Sequence, residues 1–255
     1  MGSFPQSIVH YLPVTDHDER WGIVCTTAGY QNVPPGSPYP LTQHPDSYSF
    51  TRSRGRVLGE YQLLYIVSGQ GEFRSASSPA APVKAGTVVM LFPDEWHTYA
   101  PDPETGWEEW WVGFRGENID RRVAEGFFSP KTPLLHIGHS AGIVSCYQEI
   151  IRSAEEERKG FQQLVTGIVL HLLGSVLFKR DNLQYLDNPI VEKINRAREM
   201  MRRHIGDNLP PEEIARRLNI GYTWFRRTFR AYVGIAPAQY QLQLRHNKAR
   251  ELLTT

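Results

Sequence analysis

Residues 212–234 read EEIARRLNIGYTWFRRTFRAYVG, and their spacing decides what the last third of the chain is. Pro210 and Pro211 precede the acidic pair Glu212 and Glu213. Prolines suit a first helical turn, and carboxylates there favour the positive end of the helix dipole. Ile214, Ala215 and Leu218 fall on one face, with the alanine small enough for a close crossing. Asn219-Ile220-Gly221 is a three-residue turn, and a second helix runs from about Tyr222 to Val233 until Gly234 stops it. At 100° per residue Phe225, Thr228, Phe229 and Tyr232 gather on one side, with Thr223, Arg226, Arg227 and Arg230 opposite. This is helix-turn-helix spacing. The aromatic side anchors the second helix on the first, and the polar side is shaped for a DNA major groove. An arginine there can pair bidentately with guanine or clamp phosphate. Thr223, Trp224, Arg226, Arg227 and Arg230 are the candidate DNA contacts. The competing reading, an amphipathic hairpin inside a core, is weakened by three arginines on the free face.

The charge around this stretch points the same way. From Pro189 onward there are 13 Lys+Arg against 6 Asp+Glu, a net +7, while the rest of the chain carries 15 against 21, a net −6. The overall charge of +1 hides this split. A basic end on an acidic body points to a nucleic-acid-facing segment, with a solvated helical face as the alternative. Cys25 and Cys146 are the only cysteines. They form no paired motif, which fits a reducing cytosol and argues against a disulfide framework or a cysteine zinc site. The opening MGSFPQSIVHYLP lacks the basic-then-apolar pattern of a signal peptide. The best apolar run, LVTGIVLHLLGSVLF, is interrupted by His171 and reads as a buried helix too short to cross a bilayer. A cytoplasmic protein with no membrane partner is expected.

Upstream, the chain changes character twice. Residues 1–135 are rich in Gly and Pro and contain short β-type runs: YQLLYIVSG, GEFRS, GTVVMLFP and EEWWVGF. Gly69-Gln70-Gly71 and Pro101-Asp102-Pro103 read as turns between them, and many short strands with frequent turns predict a sandwich or barrel. Residues 136–182 switch to a helical period, with Ile143, Tyr147, Ile150 and Ile151 on one face and Leu164, Ile168, His171, Leu172 and Ser175 on another. Leu164, Ile168, Leu172, Leu173 and Val176 are expected to pack between the barrel and a helix at 143–157, leaving part of the stripe for a second subunit. KRDNLQYLDNP reads as a linker, and residues 189–255 as helices. The expected fold class is α+β.

The segment from Glu212 to the end resembles the first half of the DNA-binding domain of the AraC/XylS family of bacterial transcription regulators. The elements that carry the resemblance are Glu213-Ile214-Ala215, the Phe225/Arg227/Phe229/Arg230 run, Gly234 before Pro237, Tyr240, and the Arg245, Ala249, Leu252 spacing of a long linker helix. Gly221 departs from it, standing where the family usually has a capping serine. The family's second helix-turn-helix would begin where this sequence ends, so either the chain is truncated or the protein is naturally shortened, and truncation is the favoured reading. The family also implies a cupin barrel ahead of the DNA reader. YQLLYIVSGQGEF and GTVVMLFPDEWHTY resemble the two cupin strand motifs. Where metal cupins carry two histidines and a glutamate, this chain has Arg56, Leu58 and Gln62, and His97 matches the second motif's histidine. One imidazole is insufficient for a stable metal site, so neither metal nor cofactor is expected.

On the cupin template Arg56, Gln62 and His97 project inward, and Arg56 and Gln62 share strand parity. With the aromatic planes of Tyr30, Trp107 and Trp111 they make a candidate sugar pocket. Core packing is the competing reading for each aromatic residue. The reading is of a ligand-responsive transcription regulator: promoter DNA and a small-molecule effector, a carbohydrate, as partners, and a homodimer as the assembly. Two alternatives stay open. One is a cupin-type sugar isomerase or hydrolase using Glu60, Glu109 and His97; the other is a DNA-binding protein whose barrel only dimerises.

Overall fold

The computed structural model describes residues 7–40, 48, 51, 53–185, 188–207 and 209–254. The chain divides into two compact units, Met1–Asp181 and Asn182–Thr255.

In the first unit, β1 (Ser7–Tyr11), the short helix α1 (Asp16–Glu19) and β2 (Val24–Val33) are followed by β3 (Tyr61–Ser75). Then come β4 (Ala81–Lys84), β5 (Thr87–Leu91), β6 (His97–Pro101), β7 (Trp107–Arg115), α2 (Glu117–Ala124) and β8 (Leu134–His136). The antiparallel order is β1-β2-β7-β3-β5-β8, with β4 and β6 also paired to β3. Strand β3 serves both halves of the barrel. Its Tyr61–Ile66 portion pairs with β5 and β7, and its Gln70–Ser75 portion pairs with β4 and β6. The sequence places a turn at Gly69-Gln70-Gly71; the structure instead has one continuous strand that bends there. Gly69 sits at φ +79°, and a Cβ on it would lie 2.1 Å from the carbonyl oxygen of Gly106. Only glycine lets the strand bend without leaving the ladder, because it alone tolerates both the positive φ and the close approach.

The period-2 alternation of the strands separates two cores. The outward face, including Tyr30, Leu63, Tyr65, Trp110 and Val112, packs with α3 (Ala141–Glu156) and α4 (Phe161–Asn182). The inward face, including Leu64, Ile66, Phe73, Tyr99, Trp107 and Trp111, fills the barrel. Tyr147 of α3 donates its hydroxyl to the Leu63 carbonyl at 2.9 Å. Gln162 of α4 is buried because its carboxamide completes the backbone of β2: it accepts from the Cys25 N–H at 3.0 Å and donates to the Cys25 carbonyl at 2.9 Å.

Helix α4 corrects two sequence expectations. Its buried side is Val165, Val169, Leu172, Leu173 and Val176, whereas Leu164 is 52% exposed and Ile168 only partly buried. The packing stripe is thus rotated from the one expected. The helix is also long and apolar enough, by length and composition, to cross a membrane. The apolar run 164–178 is extended by Phe161–Gln163 at one end and Lys179–Asn182 at the other, which gives the helix that length. One side of the helix lies in the core described above.

The second unit holds α5 (Pro189–Arg203), α6 (Pro211–Arg217), α7 (Tyr222–Val233) and α8 (Pro237–Thr254). A small core joins them: Ile194, Ala197 and Met201 from α5, Leu209 from the segment before α6, Ile214 and Ala215 from α6, and Phe225 and Phe229 from α7. Tyr240 of α8 closes it, its ring 5.5 Å from that of Phe229.

Candidate functional site

Two sites stand out, one in each unit. The first is a cavity inside the barrel, lined by Val9, Thr27, Gln31, Tyr39, Tyr48, Arg56, Gln62, Tyr99, Glu109 and Trp111, among others. It encloses about 380 Å³ not filled by atoms, part of it open to solvent, and little more than water fits before side chains move. Strand β7 supplies Glu109 and Trp111 from its inward face and β2 supplies Gln31, which pairs in register with Glu109.

Arg56 organises the polar floor. It lies outside the ladder of β3, joined by an isolated bridge to His97, so strand parity is not what brings it to Gln62. Its Nη1 donates to the Tyr48 carbonyl at 2.7 Å and its Nη2 to the Tyr99 hydroxyl at 2.7 Å and to Gln62 Oε1 at 3.4 Å. Its Nε donates to His97 Nε2 at 3.3 Å. His97 then donates from Nδ1 to the Glu95 carbonyl at 3.0 Å. That tautomer suits its environment: burial, then the Arg56 charge, hold the imidazole neutral with its pKa lowered to about 4.

Two carboxylates sit in the same interior and differ in how they are held. Glu60 accepts from Gln62 Nε2 at 2.8 Å, Tyr48 at 3.1 Å, Thr27 at 3.3 Å and Thr26. Those four donors match the four lone-pair positions of a carboxylate. Glu109 accepts from the Tyr39 hydroxyl, at 2.9 and 3.2 Å to its two oxygens. Burial raises its pKa to about 7, opposed by the Tyr39 hydrogen bond, the Arg56 charge and the nearby Trp107 indole.

Of the residues singled out in the sequence as ligand contacts, Arg56, Gln62 and Trp111 line the cavity. His97 lies behind Arg56, 1% exposed. Trp107 is packed among Tyr39 and Tyr99 in the inner core instead of on the cavity wall. Tyr30 belongs to the opposite sheet face, its ring 4.3 Å from Trp110, because residues 30 and 31 of a strand point to opposite sides. Gln31, Tyr39, Tyr48 and Glu109 were absent from the expected contacts. Glu109 had a signal: in WEEWW it shares parity with Trp107 and Trp111, so it is an acid on an aromatic inward face. Tyr39 and Tyr48 come from the chain between β2 and β3, where no periodicity marks direction. The three residues weighed as catalytic groups are engaged separately: Glu60 by four donors, His97 by Arg56 and the Glu95 carbonyl, Glu109 by Tyr39. Among the described residues no group of three His, Cys, Asp or Glu side chains could hold a metal ion. The Nε2 with which His97 would bind a metal faces a guanidinium.

The second site is the α6–α7 pair. Glu213 is held between Arg216 at 2.7 Å and Arg217 at 2.8 Å, which closes the end of α6. The turn that follows uses Asn219 at φ +52°, a left-handed position asparagine tolerates. Phe225 and Phe229 are fully buried, their rings edge-to-face at 5.5 Å. Thr223, Trp224, Arg226, Arg227 and Arg230 are all exposed, and the three arginines make no ion pair among the described residues. Gly221 gives α7 no side-chain cap, and Gly234 ends it at φ +90°.

A cavity with a polar floor inside a β-barrel, in the same chain as an arginine-faced helix-turn-helix, defines a regulator with a small-molecule-binding domain. Residues 35–173, over half of the chain, match the family described as the AraC-like ligand binding domain, and the chain belongs to that family: it is a transcriptional regulator of the AraC type with a ligand-binding domain. It is 22% identical over 200 residues to the Msm operon regulatory protein of Streptococcus mutans, covering 77% of this chain and 71% of that one. It is 22% identical over 219 residues to the raffinose operon transcriptional regulatory protein RafR of Pediococcus pentosaceus, covering 81% and 76%. The crystal structure of the AraC-like transcriptional activator CuxR aligns over 98% of this chain and 86% of that one at 13% identity, with a TM-score of 0.32, too loose a superposition to bear on detail.

Proposed function

We propose that the barrel senses a sugar or sugar-derived compound and that the second unit reads promoter DNA through α7, in a cytoplasmic homodimer. The observation that carries the sugar reading is the convergence of Arg56, Gln62, Gln31 and Glu109 beside the ring of Trp111 in one cavity. Hydroxyl groups need donors and acceptors fixed in direction, and the apolar face of a sugar ring needs an aromatic plane. The raffinose operon regulator among its relatives supports the same ligand class. For DNA, the support is the exposed polar side of α7, held by a buried aromatic side, the geometry with which a recognition helix enters a major groove. The outward stripe of α4, Leu164, Ile168, His171, Ser175 and Phe178, is the surface proposed for a second copy. Ligand binding would couple to DNA binding by changing how two readers meet two half-sites. Isothermal titration of the chain against mono- and oligosaccharides tests the sensor; a saturable heat with at least one is expected, and no heat from any overturns it. Fluorescence anisotropy with promoter DNA, with and without that sugar, tests the coupling. Identical binding curves overturn it.

A further inference from the structure

The barrel cavity is more informative about its ligand than its size alone suggests, because its charged groups are unequally available. Arg56 is the one cationic residue among those lining it, and at least four of its five N–H groups are already committed: one to His97, one to the Tyr48 carbonyl, and two to Gln62 and Tyr99. Recognition of a phosphate or carboxylate by arginine uses two parallel N–H donors of one fork. Here that fork is closed by protein acceptors, and freeing it would leave buried acceptors unpaired. Glu60 is likewise saturated by four donors. Glu109 is different. Its two oxygens share one hydroxyl, that of Tyr39, and have one further donor nearby, the Trp107 indole, so acceptor positions remain on a carboxyl group that lines the cavity.

We infer that this pocket takes an uncharged polyhydroxy effector, one of whose hydroxyl groups donates to Glu109 while its ring lies against Trp111, and that it rejects phosphorylated and carboxylated sugars. An anionic effector would face the Glu109 carboxylate with no open cationic fork to offset it, in an interior where like charges repel far more than in water. The inference rests on the reading of the barrel as a sugar sensor and narrows it.

The test is isothermal titration of the full chain at pH 8, where Glu109 is mostly ionised. The probes are galactose and glucose, their 6-phosphates and their uronic acids. A neutral sugar is expected to bind at least about tenfold more tightly than its phosphate or uronate. In Glu109→Gln, whose fold is checked by its thermal transition, the neutral sugar should weaken by about tenfold and the gap to the anions should narrow. A phosphate or uronate that binds as tightly as its neutral parent overturns the inference and leaves sugar sensing standing. A Glu109→Gln chain that keeps the parent's affinity for the neutral sugar overturns the role of Glu109. Binding of none of the probes defeats both the inference and the reading beneath it.

Discussion

Arg56 in the barrel and Arg226, Arg227 and Arg230 on α7 carry the same side chain under opposite conditions. Arg56 is part-buried and bound by four protein acceptors. The α7 arginines are exposed and make no ion pair among the described residues. A buried guanidinium left without acceptors would be strongly destabilising, so its surroundings have to be built around it. An exposed one is solvated, contributes little to folding, and keeps its donors for a partner. The two units differ in the same sense: the barrel places polar groups inside an extensive core, whereas the helical unit has a small apolar core and displays its charge.

The largest break in that contrast should come from the helical core. Phe229 is fully buried between Phe225 and Tyr240. Phe229→Ala should destabilise this unit by about 3–5 kcal/mol, enough to unfold a small unit of ordinary stability. Trp224 is the one tryptophan after residue 181, so its fluorescence during urea titration, against the circular dichroism of the whole chain, would report whether this unit melts while the barrel holds. A transition unchanged from the parent would mean that the aromatic side does not hold the unit together.

Next in size is a pH effect inside the barrel. His97 is pushed from 6.5 down to about 4, and Glu109 from 4.5 up to about 7. Between about pH 4.5 and 6.5 the folded chain holds its proton on Glu109 and the unfolded chain holds it on His97. The proton counts match, and the pair contributes no slope of stability with pH. Removing one partner exposes the other. In Glu109→Gln, His97 alone remains, and stability should be lost as pH falls from 6.5 towards 4. In His97→Gln, Glu109 alone remains, and stability should be lost as pH rises from 4.5 to 7. Each change is about 3 kcal/mol across its window. Urea midpoints at pH 4.5, 5.5 and 6.5 decide it; equal slopes in both variants and the parent would refute the compensation.

Smaller effects belong to the exposed side of α7, proposed to read promoter DNA. Arg226→Ala should leave folding intact and weaken promoter binding. The loss should be about 1–3 kcal/mol and confined to one base position if Arg226 reads a base, or uniform over sequences with a shallower salt slope if it touches phosphate. Anisotropy across a salt series separates these, and unchanged affinity at every salt concentration would remove Arg226 from the interface. The smallest change concerns the missing cap. Gly221 has φ −66° and ψ 134° and open space around it. Gly221→Ser should therefore stabilise α7 by a few tenths of a kcal/mol, visible as a rise of about 1–2 °C in the midpoint of the helical unit. A fall would show that the glycine is there for its backbone.

Local chemistry carried much of this molecule into the sequence. The bounds of α7, its buried phenylalanines and its exposed arginines follow from a 3.6-residue period and a terminal glycine, both of which act within a few residues. The direction of Trp111 and the latent position of Glu109 follow in the same way from the period of two along β7. Where contacts are made between segments distant in the chain, the sequence was mute or misleading. Gly69 looks like a turn, and only the approach of Gly106, from the turn that leads into β7, shows it to be a bend within β3. Tyr30 looks like a pocket aromatic until its strand is packed and the neighbouring Gln31 takes the inward side. Arg56 reaches Gln62 from outside the ladder, with Tyr48 arriving from the segment between β2 and β3 and His97 and Tyr99 both arriving from β6. Sequence by itself determined the family resemblance, the alternation of faces and the basic helix, because period and capping are properties of neighbouring residues. The tertiary structure alone decided which polar groups share one cavity and which of them still have a hydrogen bond to offer, because a buried donor or acceptor is satisfied by whatever the fold brings to it.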